Sequence, residues 1–200
     1  MSLPQGVNFR STVGYVTDGS NEHPETTGTG SYPTTTAQGQ NVGWETGTVD
    51  YRNDRSSSVD ARIAGTHGFN AGSTATFRID LPSSGDHLIR SAMGSATSNW
   101  LVHAQLYDDT TYLGDLASSQ SIGSGQFVDA TDVVRTTPAD WVSNNASTTK
   151  TFSSTKMLVT IPTGANYRQI AHLYVEYVGG GGGGSSLPVF KNHYSQQGIM

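Results

Sequence analysis

The sequence predicts an all-β protein, a two-sheet antiparallel sandwich of jelly-roll type with one short helix, and three observations carry the prediction. Between positions 74 and 81, Ala75, Phe77, Ile79 and Leu81 fall on one parity and Thr74, Thr76, Arg78 and Asp80 on the other. This is the period of a strand with one buried face. About ten such short runs follow one another with turn residues between them, and no spacing suits a strand-helix-strand unit. Finally, the chain offers one helical start signal, Thr137-Pro138-Ala139-Asp140-Trp141. There Thr suits the N-cap, Pro the first helical position, and Asp the positive end of the dipole.

Taken in order, the first strand is expected over 8–17, with Phe9, Val13, Tyr15 and Val16 apolar, and Asp18-Gly19-Ser20-Asn21 ending it. Positions 22–41 hold almost nothing apolar beyond Tyr32 and Ala37, and read as a long surface loop. Trp44 breaks that polar run. Short strands are expected over 48–52 and 59–63, the second from the alternation of Val59, Ala61 and Ile63. The strand at 74–81 continues through Pro82-Ser83-Ser84-Gly85-Asp86 into a second run at 87–93, which reads as a hairpin. Its apolar face needs a second sheet to cover it. In 99–107, Trp100, Val102, Ala104 and Leu106 share a face. Strands at 111–116, 126–128, 150–153, 156–161 and 169–178 complete the set, the last with Ala171, Leu173, Val175 and Tyr177 alternating.

Composition divides the chain into a β domain at 1–178, a glycine linker at 179–184 and an extended tail at 185–200. A 200-residue chain with no cysteine folds on its core alone, without disulfides, thiolate metal sites or a cysteine nucleophile. Charged residues are only 14% of the chain and the formal net charge is −5, which gives no basic footprint for nucleic acid. No apolar run is long enough for a membrane span, so membrane insertion is not expected. The start, MSLPQGVNFR, lacks the basic and apolar blocks of a signal peptide.

No catalytic motif is found, neither a nucleophile elbow, a zincin helix, a phosphate loop nor a dinucleotide fingerprint, and no cofactor is expected. His103 and His172 lie in strands and read as structural. Asp108-Asp109 reads as a turn rather than half of a glycosidase carboxylate pair. Asp129, Asp132 and the run 50–54 have the oxygen chemistry for Ca²⁺ but not the EF-hand spacing, and no metal site is assigned. The aromatics set among polar residues are the better lead. Tyr32, Trp44, Tyr51 with Arg52, and Tyr112 combine rings that stack on a sugar with neighbours that bond its hydroxyls. Against this stands the reading of each ring as a plug at a sandwich end. Trp44, Tyr51, Arg52 and Tyr112 are the glycan-binding candidates.

The segments Gly43-Trp44, Asp54-Arg55, Ala61-Arg62-Ile63-Ala64-Gly65 and Phe77-Arg78-Ile79-Asp80-Leu81-Pro82, through to Gly94, resemble galactose-binding-like jelly-roll modules over about residues 7–178. That resemblance implies a two-sheet sandwich with ligands at one end, often accessory to carbohydrate enzymes or virion proteins; fold alone does not fix function. The ending from Leu187 to Gly198 is similar to short C-terminal tails of tailed-bacteriophage structural proteins. Two functions are therefore expected, a third, a small glycan hydrolase or esterase, being disfavoured by the lack of any nucleophile or carboxylate motif. In the first, the chain is a non-enzymatic virion component, a head decoration or tail-associated protein assembled in the host cytoplasm. Leu187, Val189, Phe190, Tyr194 and Ile199 would anchor it to other virion proteins or to copies of itself, and the sandwich would face host surface glycans. In the second, it is a carbohydrate-binding module of a polysaccharide-acting system.

Overall fold

The computed structural model describes residues 5–10, 21–24, 32–35, 41–54, 60–97, 100–164 and 168–179. The strands are β1 (Gln5–Arg10), β2 (Asn21–Pro24), β3 (Thr34–Thr35), β4 (Asn41–Thr46), β5 (Tyr51–Asp54), β6 (Gly65–Phe69), β7 (Ala75–Asp80) and β8 (Gly85–Gly94). They continue with β9 (Trp100–Asp108), β10 (Thr111–Ile122), β11 (Phe127–Val128), β12 (Val134–Arg135), β13 (Thr148–Phe152), β14 (Lys156–Ile161), β15 (Arg168–Ile170) and β16 (His172–Gly179). A helix, α1 (Pro138–Asn144), and a 3-10 turn, Ala61–Ile63, complete the described elements.

These strands form two sheets. One runs β12-β11-β8-β16-β1-β2, with β13 on the same edge of β8 as β11; the other runs β3-β4-β7-β14-β9-β15-β6-β5, with β10 on β9. Pairing is antiparallel except where β2 meets β1 and β15 meets β9. The predicted two-sheet sandwich is the fold. Its interior is built from the alternating apolar residues of both sheets, among them Phe77, Ile79, Val102, Ala104, Leu106, Met157 and Val159 from one and Val7, Phe9, Ile89, Met93, Leu173 and Val175 from the other. Each fully buried side chain of this size contributes about 1.5–3 kcal/mol.

Three strand expectations are corrected. The run 74–94 is not a hairpin: β7 pairs with β4 and β14, and β8 with β16, β13 and β11, so residues 81–84 carry the chain from one sheet to the other. The second sheet that the apolar face of β7 requires is thus the one holding β8. Positions 61–63 form a 3-10 turn rather than a strand. The expected single strand at 169–178 changes sheets at Ala171, whose N–H donates to Ala92 O at 2.9 Å and whose carbonyl accepts from Phe9 N at 3.0 Å. The interval 22–41 includes the short strands β2 and β3. Positions 11–17 of the expected first strand lie outside the described residues.

The helix forms as its capping residues require. Thr137 Oγ1 accepts from Asp140 N at 3.0 Å and Pro138 opens the first turn. Trp141 is the residue α1 buries. It packs with Ile63, Ala92, Phe127 and Ala171 in a second apolar cluster and donates from Nε1 to Ser91 O at 3.0 Å.

Three of the side chains singled out as possible ligands, Asp108, Asp129 and His172, are buried polar groups with partners inside the fold. Asp108 accepts from the backbone N–H and hydroxyl of both Ser153 and Ser154. Although burial opposes ionisation, those four bonds hold its carboxyl below the usual range. Asp129 is likewise buried and accepts from Thr131, Val133, Arg135 and Ala146. His172 Nδ1 lies 2.8 Å from Asn8 Oδ1. These carboxylates hold loops together. Among the described residues no group of three or more His, Asp or Glu is placed to hold a metal ion, and no helix is long and apolar enough to cross a membrane.

Candidate functional site

The outer face of the nine-stranded sheet follows from strand parity. On β7, Thr76, Arg78 and Asp80 alternate with buried Ala75, Phe77 and Ile79; on β14, Lys156, Leu158 and Thr160 alternate with buried Met157, Val159 and Ile161. On β9, His103, Gln105 and Tyr107 are half-buried between fully buried Val102, Ala104 and Leu106. Register then sets these outward residues in rows. Arg78 lies opposite Leu158, Leu158 opposite Tyr107, and Tyr107 opposite Tyr112. The neighbouring row is Thr76, Thr160, Gln105 and Asp115.

At one end of these rows is an aromatic pair. The rings of Tyr107 and Tyr112 are 5.4 Å apart between centroids and inclined at 56°, and Tyr112 is 51% exposed. Tyr112 donates its hydroxyl to Asp115 Oδ1 at 2.6 Å, and this bond is the main reason its phenol pKa is pushed up to about 12. In a regular strand, residues three apart point to opposite faces. Here the register slips between Tyr112 and Gly114, a β-bulge that puts Tyr112 and Asp115 on one side. Gly114, at φ +120°, supplies the backbone conformation. Tyr107 donates to Gln105 Oε1 at 3.1 Å, and His103 Nε2 lies 3.8 Å from Asp115 Oδ2.

The other end is ionic. The guanidinium of Arg78 lies over the Tyr32 ring, 4.3 Å from its centroid, and donates to Asp80 Oδ1 at 2.7 Å and Glu45 Oε1 at 3.0 Å. Burial works against its charge, but those two bonds outweigh it and raise its pKa. Tyr32 donates to Asp80 Oδ2 at 2.7 Å, and burial, reinforced by that bond, pushes its phenol up. Lys156 Nζ lies 3.1 Å from Asp109 and 3.6 Å from Glu45. The face therefore presents exposed ring surface, carboxylate and amide acceptors, and cations that already have anionic partners.

Of the predicted glycan-binding residues, Tyr112 is on this surface. Trp44 is not: it is 1% exposed, on the inward face of β4, with its ring against Phe9, Phe69 and Phe77 and its Nε1 donating to His67 Nδ1 at 3.1 Å. Its ring is enclosed in the core and has no surface to offer a sugar. Tyr51 and Arg52 belong to β5, in register with Gly68 and His67 at the far edge of the same sheet; their side chains lie outside what is described. Leu187, Val189, Phe190, Tyr194 and Ile199 also lie outside the described residues. Sequence reasoning missed Tyr107, Gln105, Asp115 and Arg78. Parity was the available signal, since Tyr107 and Gln105 sit opposite the apolar face of 99–107, and Arg78 opposite that of 74–81.

No protein-family profile matches this chain, and no curated protein does. Among solved structures it is similar to a family 35 carbohydrate binding module from Clostridium thermocellum, at 13% identity and a TM-score of 0.30, over 53% of this chain and 71% of that one. It is also similar to the C-terminal CBM6 of LamC, a marine laminarinase from Zobellia galactanivorans, at 21% identity and a TM-score of 0.28, over 64% of this chain and 93% of that one.

Proposed function

We propose that the protein is a non-catalytic carbohydrate-binding module whose ligand lies on the outer face of the nine-stranded sheet. The observation that carries this reading is the pair of exposed Tyr112 and half-buried Tyr107 beside Asp115 and Gln105. Sugar rings have apolar faces that stack on aromatic rings and rims of hydroxyls that need polar partners, and this surface supplies both within two adjacent strands. Two rings inclined at 56° form a floor and a wall rather than one continuous plane. Binding without hydrolysis is the natural role of such a face. Hydrolysis needs a carboxylic acid free to protonate the leaving oxygen, whereas Glu45, Asp80 and Asp109 face Arg78 or Lys156 and Asp115 faces the Tyr112 phenol.

The virion-component reading rests on the tail at 187–200, and the glycan reading rests on a surface whose geometry is described; the second therefore stands first. Affinity electrophoresis against a panel of soluble polysaccharides, with titration calorimetry on any that retard the protein, tests it. Tyr112→Ala and Tyr107→Ala are each expected to weaken binding at least tenfold, about 1.4 kcal/mol, with an unchanged far-UV circular dichroism spectrum. A wild-type protein that binds nothing on a broad glycan array ends the proposal.

A further inference from the structure

Resting on the glycan-binding reading, we infer that the ligand is an uncharged polysaccharide, held within its chain and running across the strands from Tyr32 towards Tyr112. The charge of the face argues for the uncharged ligand. Among the described residues, three carboxylates, Glu45, Asp80 and Asp109, face two cations, Arg78 and Lys156, and a fourth, Asp115, takes the Tyr112 hydroxyl. Arg78 bonds both Glu45 and Asp80 and is covered on one side by the Tyr32 ring; Lys156 lies between Glu45 and Asp109. A uronate or sulfate laid here would have to compete with the first three for both cations and would meet Asp115, which has neither Arg78 nor Lys156 beside it, an unfavourable approach of like charges.

Hydrogen-bond roles point the same way. Three phenols of the face donate inward, Tyr32 to Asp80, Tyr107 to Gln105 and Tyr112 to Asp115. A carboxylate has lone-pair sites for more than one donor, so Asp115 and Asp80 remain able to accept from a ligand. What such a surface recognises is a donor of hydroxyl hydrogens. Neutral sugars are that chemistry, and ionised acidic groups, which only accept, are not.

Register argues for the direction. From Arg78 through Leu158 and Tyr107 to Tyr112 the row crosses β7, β14, β9 and β10. Three strand steps of about 4.7–4.9 Å give a track of about 14–15 Å. This is about three pyranose rings if each advances by roughly one strand spacing. With a ring at either end and Leu158 between, the row suits an internal stretch of chain better than a single terminal sugar.

The test compares polymers that share a backbone and differ in charge: hydroxyethyl-cellulose with carboxymethyl-cellulose, and methyl-esterified with de-esterified homogalacturonan. Neutral xylans, mannans, galactans and glucans complete the affinity gels. At least one neutral polymer is expected to bind, with any charged counterpart at least tenfold weaker and the gap narrowing as salt is raised. Calorimetry with neutral oligosaccharides should show affinity rising from the monomer to about the trimer and then levelling. The double substitution E45Q/D80N, which frees Arg78, should narrow the preference for neutral chains. Tighter binding of the charged polymers overturns the inference and leaves the glycan reading standing. Equal affinity for monomer and trimer overturns the chain-crossing geometry, and a blank result with every polymer overturns both.

Discussion

Trp44 and His87 carry the clearest consequences at the scale of single residues. The Trp44 ring meets Phe9, Phe69 and Phe77 at centroid distances of 5.7, 4.8 and 5.0 Å. Trp44→Ala should therefore lower stability by about 3–5 kcal/mol, the usual consequence of emptying a large buried site, as read from urea unfolding. A loss below about 1 kcal/mol would put the ring outside the core. His87 is fully buried, with Phe152 and Tyr177 edge-on to its ring and Nδ1 3.0 Å from Gly85 O. Its Nε2 is buried and, among the described residues, has no hydrogen-bond partner. Burial depresses its pKa below the usual histidine value, and the bond to Gly85 only partly offsets this. The unfolded chain thus takes up the proton first as pH falls. Stability from this residue is full above the unfolded pKa of about 6.5 and declines as pH drops below it. Urea midpoints at pH 7.5 and 5.5 should show the decline, and His87→Phe should flatten it. An identical slope in the variant would assign the effect to other groups.

Trp44 also shows what single residues conceal in sequence. Its neighbours, Asn41-Val42-Gly43 and Glu45-Thr46-Gly47, have the polar, glycine-rich look of a loop. The rings that bury it come from β1, β6 and β7, and local composition carries no trace of partners so distant. Tyr112 stood out because it is exposed within its own turn-like context. Tyr107 was hidden because a strand with a strong apolar face draws attention to that face rather than to the one opposite.

Among elements, the connections decide the architecture. Parity in 74–94 shows which side of each strand is buried, but a short polar link serves a hairpin and a passage between sheets equally well. Apolar faces alone do not say which strands pair. Glycines mark where close packing matters. Gly94 ends β8 at φ +143°, where an added Cβ would lie 2.5 Å from Gln126 O in the chain leading to β11. Gly94→Ala should cost about 1–3 kcal/mol through overpacking and strain and loosen the β8–β11 edge, visible as faster amide exchange at Phe127 and Val128. Unchanged exchange there would mean the contact relaxes freely. Thr137→Ala removes the cap of α1 and should cost about 1 kcal/mol, with the Trp141 fluorescence maximum unmoved while the protein stays folded.

For the whole molecule, the sandwich was legible because repeated alternation is a property of many strands at once, and no single misplaced boundary erases it. The same reasoning yields a prediction about its limits. Among the described residues the core runs from Val7 to Val175, and β16, the last described strand, is paired on both sides, by β8 and β1. Truncation after Gly179 leaves this described core whole, and the melting temperature is expected to shift by less than about 2 °C, which for a domain of this size is below about 1 kcal/mol. Affinity for a bound polysaccharide should be unchanged, because Tyr107, Tyr112, Asp115 and Arg78 all precede the cut. The expected loss is in assembly: any oligomer formed by the full chain at a given concentration should be absent from the truncated protein by size-exclusion chromatography with light scattering. A truncated chain that assembles as well as the full one removes the anchoring role expected of Leu187, Val189, Phe190, Tyr194 and Ile199. One that melts well below the full chain shows instead that residues 180–200 support the sandwich itself.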